Sequence, residues 1–320
     1  MGVASEILVR ARHFRPAWRL FNLAHYRQLR GNAEQYKRFG VHRSVLGPIS
    51  HREITKPSDE VPWLDRPDAK QALANADLSP VPAEARDKLS GWIDDGFLVL
   101  DGFFDADRID AINADLERQM EAGTVDYHYR GNRVTDAFRK SPPIRAVAED
   151  PRLVELLSLL LGKKAELFQT INFFEGSQQH PHSDSFHMTT EPKGFLVAIW
   201  VALEDIEPGS GALVYYPGSH RLPYVMTEDL DGAQGSRLIA VDKGPSYERK
   251  MAAVIADSGI EPVEFLPRKG DVLIWHTNLI HGGKGIETPG STRKSLVGHY
   301  FAEGVLCYHE ATERPALISG

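Results

Sequence analysis

The chain has 320 residues, 42% of them apolar and 25% charged, with a formal net charge of −7 and a single cysteine. That length suits one large catalytic domain with embellishments or two modest ones. The lone Cys307 excludes an internal disulfide and a cysteine-based zinc site, and suits a reducing cytoplasm.

Charge is unevenly spread. Residues 1–52 hold ten Lys/Arg against two acids, Glu6 and Glu34, which leaves the remainder near −15. A bulk acidic body argues against nucleic acid as the main partner. The longest apolar runs, FLVAIWVAL and LVELLSLLL, are about half of a membrane span.

In chain order, residues 1 to about 45 place Ile7, Leu8, Phe14, Trp18, Phe21 and Leu29 at helical spacing among arginines, with Pro16 breaking the first turns from the next. This reads as a basic amphipathic element that lies on an anionic membrane surface, docks a partner or folds back on the body. It lacks the cleavage site and long apolar core of a secretory signal. Residues 49–82 are Pro-rich and charged, an irregular connector, so the extension and connector occupy 1–82 and the catalytic domain 83–320.

From Pro82 the spacing turns helical in PAEARDKLSGWIDDGFLVL, DADRIDAINADLERQMEAG and DPRLVELLSLLLGKK. Strand patterns follow in AELFQTINFF, FLVAIWVAL, GALVYYPGS, EPVEFLP, DVLIWHTN and KSLVGHYF, separated by Gly/Pro-rich turns. Helices first and short strands later predict an α+β chain whose second half is a sandwich or barrel. PSYERKMAAVIADSG reads as an inserted helix, a wall or lid over the barrel mouth.

GSQQHPHSDSFHMTT carries the chemistry. His182 and Asp184 are two apart, so on an extended segment an imidazole and a carboxylate point to one side and converge on one ion. His281, followed by Gly282 and Gly283, offers a third ligand from a distant strand end. Two histidines and a carboxylate on one face leave the opposite positions open, as in non-haem Fe(II) oxygenases, although zinc hydrolases use similar sets. The cosubstrate site separates the two. Arg293, at the start of a strand after His281, can clamp a carboxylate bidentately, with Ser295 on the same side as a second donor.

Taken together, HSD, GSGALVYYPGSHR, KGDVLIWHTNLIHGG and TRKSLVGHYF, in this order, resemble the phytanoyl-CoA dioxygenase family of Fe(II)/2-oxoglutarate oxygenases over about residues 88–302. The resemblance implies a double-stranded β-helix, a cupin-like jelly-roll barrel with packing helices, its core at about 165–302. It implies His182, Asp184 and His281 as iron ligands and Arg293 as the partner of the distal carboxylate of 2-oxoglutarate. Trp200 matches a pocket tryptophan, and Gln169 and Asn172 match polar contacts to cosubstrate or substrate. A hydroxyl residue common two positions after the distal histidine is Gly283 here, so Ser295 is the substitute. Asp184 stands where halogenating relatives carry a small residue, so hydroxylation is the default outcome. The implied reaction consumes O2 and 2-oxoglutarate, releases succinate and CO2, and hydroxylates a small-molecule or lipid-linked substrate in the cytoplasm or at a membrane surface. A metal-bearing binding protein without turnover and a cupin-type zinc hydrolase are the alternatives.

Other histidines have blander readings. His51-x-Glu53 is a chance pair, His180 an exposed loop residue, and His220 the end of a turn. His276, five before His281 on the same strand, points to the opposite face. His299 is a core histidine with a satisfied hydrogen bond, and His187 falls on the strand after Asp184 near the barrel mouth. DYHYRGNRVTDAFRK, residues 126–140, is either part of a substrate entrance or a solvated loop.

Overall fold

The computed structural model describes residues 15–125, 133–231 and 242–317. The amino-terminal extension forms α1 (Arg15–Ala24), α2 (Tyr26–Leu29) and α3 (Asn32–Arg38). These helices fold back on the body: Trp18 and Leu29 are buried, Asn22 donates to the Leu46 carbonyl and Asn32 to that of Ala316. The connector carries α4 (Ala69–Ala74) and sends Leu64, Ala69 and Val81 into the main core.

Next come α5 (Ala83–Arg86), α6 (Leu89–Asp95) and β1 (Phe97–Leu100). The helical spacing of residues 82–100 therefore breaks at Gly96. Its φ of 80° is left-handed, which ends α6, and FLVL enters the sheet instead. Helix α7 (Ala106–Glu121) is capped by Asp105, α8 (Pro142–Ala148) by Ser141 and α9 (Pro151–Leu161) by Asp150, each side chain accepting from a first-turn N–H. Leu153, Leu156, Leu157, Leu160 and Leu161 of α9 are all buried, which is why this run reads as apolar almost throughout.

The remaining strands are β2 (Arg133–Thr135), β3 (Ala165–Phe173), β4 (Thr189–Glu191), β5 (Leu196–Ala202), β6 (Leu213–Tyr215), β7 (Val263–Phe265), β8 (Val272–His276), β9 (His281–Gly283), β10 (Ser295–Ala302), β11 (Leu306–His309) and β12 (Arg314–Pro315). Two further helices, α10 (Asp184–His187) and α11 (Gly244–Ser258), interrupt them. The major sheet runs β1-β8-β5-β10-β3-β2, all antiparallel, and two smaller sheets run β7-β6-β9 and β12-β11-β4. This is the jelly-roll, α+β architecture expected from the sequence.

Strand β5 shows what the fold does to the pattern. Val197, Ile199 and Val201 pack into the cluster shared with the helices, while Ala198, Trp200 and Ala202 join the barrel interior. Covered on both faces, the strand shows no polar alternation.

Candidate active site

The cavity grows out of strand register. Opposite residues on paired antiparallel strands face the same side. His299 of β10 lies between Gln169 of β3 and Ala198 of β5, Val297 between Ile171 and Trp200, and Ser295 between Phe173 and Ala202. Gln169, Ile171, Phe173, Trp200, Val297 and His299 thus present one inward ladder. Together with Trp275 of β8 they line a cavity of about 340 Å³ whose walls also include His182, Asp184, His281 and Arg293.

His182 and His281 are stitched by the backbone. Each N–H donates to the other's carbonyl, at 2.8 and 2.9 Å, an isolated antiparallel bridge that sets the rings 4.5 Å apart. His182 Nδ1 lies 2.8 Å from the His180 carbonyl and His281 Nδ1 3.0 Å from that of Leu279. A carbonyl only accepts, so each Nδ1 carries the proton and each Nε2 keeps a lone pair for a metal. Asp184 opens α10, and its Oδ1 lies 3.7 Å from His281 Nε2. One ligand atom from each of the three residues lies within 4.8 Å of the others, and all three side chains are buried.

Trp275 Nε1 donates to Asp184 Oδ2 at 2.8 Å, and His299 Nε2 stands 3.7 Å from the same oxygen. Oδ2 is held from behind while Oδ1 faces the imidazole. Burial favours the neutral acid, but His281, His299 and His182 together outweigh it and hold Asp184 well below the usual carboxylate range. Burial, reinforced by His281 and His187, pushes His182 down to about 3. An anionic carboxylate beside a neutral imidazole with its lone pair inward suits a divalent cation, with open positions toward the cavity. Trp200 and His299 line the same cavity, while Trp200 Nε1 and His299 Nδ1 are themselves buried and find no hydrogen-bond partner among the described residues.

Arg293 is 2% exposed and precedes β10, its N–H donating to the Phe174 carbonyl at 2.8 Å. The guanidinium carbon lies 5.5 Å from the Phe173 ring centre and 5.6 Å from that of Trp200, with Nη1 3.4 Å from Ser295 Oγ. A cation fixed against two rings at one end of the cavity, with the carboxylate–imidazole cluster elsewhere in it, suits a dicarboxylate lying between them.

Several expectations need correcting. Asn172, three residues from Gln169 on β3, cannot share its face: it lies opposite Leu296 and Val134, outside the cavity lining. Ser295 is fully buried beside Arg293 but does not line the cavity. His299 is a cavity residue beside Asp184, not a satisfied core histidine. The period of two through Arg293, Ser295 and Val297 already pointed it inward. His276 and His281 sit on separate strands, because residues 277–280 turn the chain between β8 and β9; His276 Nε2 lies 3.2 Å from Asp65 Oδ2, away from the cavity. His187 ends a helical turn before β4, yet it does line the cavity.

Helix α11 is a buttress and supplies no cavity residue. Its Tyr247 ring stacks on Phe186 at 3.8 Å, and its hydroxyl accepts from the Ser183 N–H. Residues 126–132 of the aromatic and basic run lie outside the described residues, while Arg133 lines the cavity. Ser177, Gln179, Met188 and His309 are further lining residues that no local signal marked. At Gly283 a Cβ would fall 2.7 Å from Ser177 Oγ and 3.0 Å from the Gln178 nitrogen. The loop hydroxyl of Ser177 therefore occupies the space a side chain at 283 would need.

A jelly-roll barrel holding a buried two-histidine, one-carboxylate cluster and an internal arginine defines the class of 2-oxoglutarate-dependent dioxygenases. The chain belongs to the phytanoyl-CoA dioxygenase (PhyH) family, whose sequence profile matches residues 92–295. It is 28% identical over 212 residues to the ectoine dioxygenase of Sphingopyxis alaskensis, covering 61% of this chain and 69% of that enzyme. It is 29% identical over 187 residues to phytanoyl-CoA dioxygenase domain-containing protein 1 of Bos taurus, covering 42% and 64%. Among solved structures, the non-haem α-ketoglutarate-dependent carbocyclase SnoK of nogalamycin biosynthesis superposes with a TM-score of 0.57 at 18% identity, over 72% of this chain and 87% of that one. EctD from S. alaskensis with 2-oxoglutarate and 5-hydroxyectoine gives 0.53 at 23%, over 71% and 78%.

Proposed function

We propose that this protein is an Fe(II)- and 2-oxoglutarate-dependent dioxygenase that hydroxylates an unactivated C–H bond of a small-molecule or lipid-linked substrate, releasing succinate and CO2. The observation that carries this reading is the presence, in one cavity, of the His182–Asp184–His281 cluster and the buried Arg293. A hydrolase or a metal-binding module has no use for a carboxylate clamp inside the barrel.

His182, Asp184 and His281 would hold the iron, and Arg293 would take the distal carboxylate of 2-oxoglutarate. Trp200 shapes the cavity wall between them. Bound iron supplies the activation of O2 that the side chains cannot. Gln169, Gln179, His187 and His309 are among the further polar lining residues and orient the substrate. Phe173, Ile171 and Val297 exclude water from the reacting centre. The presence of Asp184, a carboxylate rather than a small residue, supports hydroxylation over halogenation. The buried single cysteine, Cys307, supports the cytoplasmic reading.

Anaerobic titration of apo-protein with Fe(II) and then 2-oxoglutarate tests the assignment. A weak visible charge-transfer band is expected, lost in Arg293→Ala and, with iron binding itself, in His182→Ala. Iron binding without any such band would return the weight to a binding protein or hydrolase.

A further inference from the structure

We propose that the outer face of α1 and α2 seats this protein on an anionic phospholipid surface. Four of the seven exposed large apolar side chains among the described residues fall between positions 20 and 26: Leu20 at 72% exposure, Phe21 at 44%, Leu23 at 59% and Tyr26 at 49%. Phe21 stacks on His25 at 4.2 Å, but none of the four joins a buried apolar cluster. Trp18 and Asn22, one turn apart, take the inner face of α1, Trp18 lying under the Arg314 guanidinium at 4.7 Å and Asn22 bonded to Leu46. Leu20 and Leu23 then project from the opposite side, at 100° per residue.

Charge decides what covers this face. From residue 7 to residue 33 the sequence holds six arginines and no acid, and Arg19, Arg27 and Arg30 are exposed. Among the described residues none of these three makes an ion pair. Leu and Phe at the acyl boundary with Arg among the headgroups is the arrangement of an interfacial helix. The remainder of the chain, near −15, is repelled by the same surface, so the field orients the molecule with its extension down. A second copy is a poor occupant, because four side chains fall far short of the roughly 20–30 residues a side of a stable interface. The extension rests on β11 and β12, through α3 and Arg314, and β11 also carries His309 of the cavity wall. A lipid-seated extension therefore adjoins a strand that contributes to the cavity wall.

Sedimentation of the full chain with vesicles tests this independently of any turnover. Binding is expected to vesicles of phosphatidylcholine and phosphatidylglycerol in equal parts, and not to phosphatidylcholine alone. Arg19→Gln/Arg27→Gln/Arg30→Gln should weaken partitioning on the order of 100-fold, and Leu20→Gln/Leu23→Gln at least about 10-fold. All these positions are exposed, so the melting curve should not move. Protein left in the supernatant with anionic vesicles, or binding unchanged in the leucine variant, would overturn the proposal. A dimer that dissociates in the leucine variant, without vesicle binding, would overturn it in favour of a second copy.

Discussion

The two oxygens of Asp184 meet different surroundings. Trp275 Nε1 occupies Oδ2 at 2.8 Å, leaving Oδ1 toward the cluster. Trp275→Phe keeps the ring and removes the donor, so Fe(II) affinity should fall about 10- to 100-fold while the fold persists; anaerobic calorimetric titration measures it, and an unchanged affinity would leave the indole a packing role alone. Asp184→Ala removes the charge itself and should abolish iron binding. Gly283 is set by space: Ser177 Oγ can rotate away from a new Cβ, but the Gln178 nitrogen at 3.0 Å is backbone and cannot. Gly283→Ser should therefore cost about 1–3 kcal/mol, read from urea unfolding, and wild-type stability in that variant would show the loop to be pliable there.

Between elements, one buried acid is among the ties of the amino-terminal extension and connector to the barrel. Glu310, just past β11 and fully buried, accepts from the His51 N–H at 3.0 Å, from His51 Nδ1 at 2.7 Å and from Thr227; His51 Nε2 reaches Glu228 at 2.9 Å. Burial lowers the His51 pKa, but Glu310 and then Glu228 outweigh it and raise it above 6.5. Burial likewise raises Glu310, yet His51 and Thr227 bring it below 4.5. Folding thus favours His51 protonated and Glu310 ionised. The His51 contribution is complete below 6.5 and fades as pH climbs through its folded pKa, whereas that of Glu310 is complete above 4.5 and fades as pH falls through its own. The melting-temperature difference between wild type and His51→Gln should therefore peak at about pH 5.5 and shrink toward alkaline pH. A difference independent of pH would assign the stabilisation to packing of the extension instead.

Across the whole molecule, the cluster joins parts of the chain that are otherwise far apart: the 182–187 segment, β9, and β8 through Trp275. Metal binding only in the folded state adds stability by mass action, about 2.7 kcal/mol at Fe(II) one hundred times its dissociation constant. Thermal unfolding under anaerobic conditions should show that gain in wild type and none in His281→Ala. Equal shifts in both would place the metal elsewhere. No helix among the described residues is long and apolar enough to cross a membrane.

Local pattern was enough for the helix end at Gly162, the six principal strands and the spacing of His182 and Asp184, because hydrophobic period and glycine conformation are properties of a few neighbouring residues. The same period placed Arg293 and Ser295 on one side and, followed two steps further, would have brought His299 to the metal cluster. It also shows that Asn172 cannot share a face with Gln169. Short strands such as β4 and β9 exist only as edges paired to distant partners, so no window of sequence announces them. Arg133, Ser177 and His309 line the cavity for the same reason. Which side chains share one space depends on register between strands a hundred residues apart, and that register is decided by the closing of the barrel. The sequence by itself determined the ligand types and their local spacing; the tertiary structure alone decided that Trp275 and His299 back the carboxylate, that Glu310 anchors the extension, and that Leu20 and Leu23 remain uncovered.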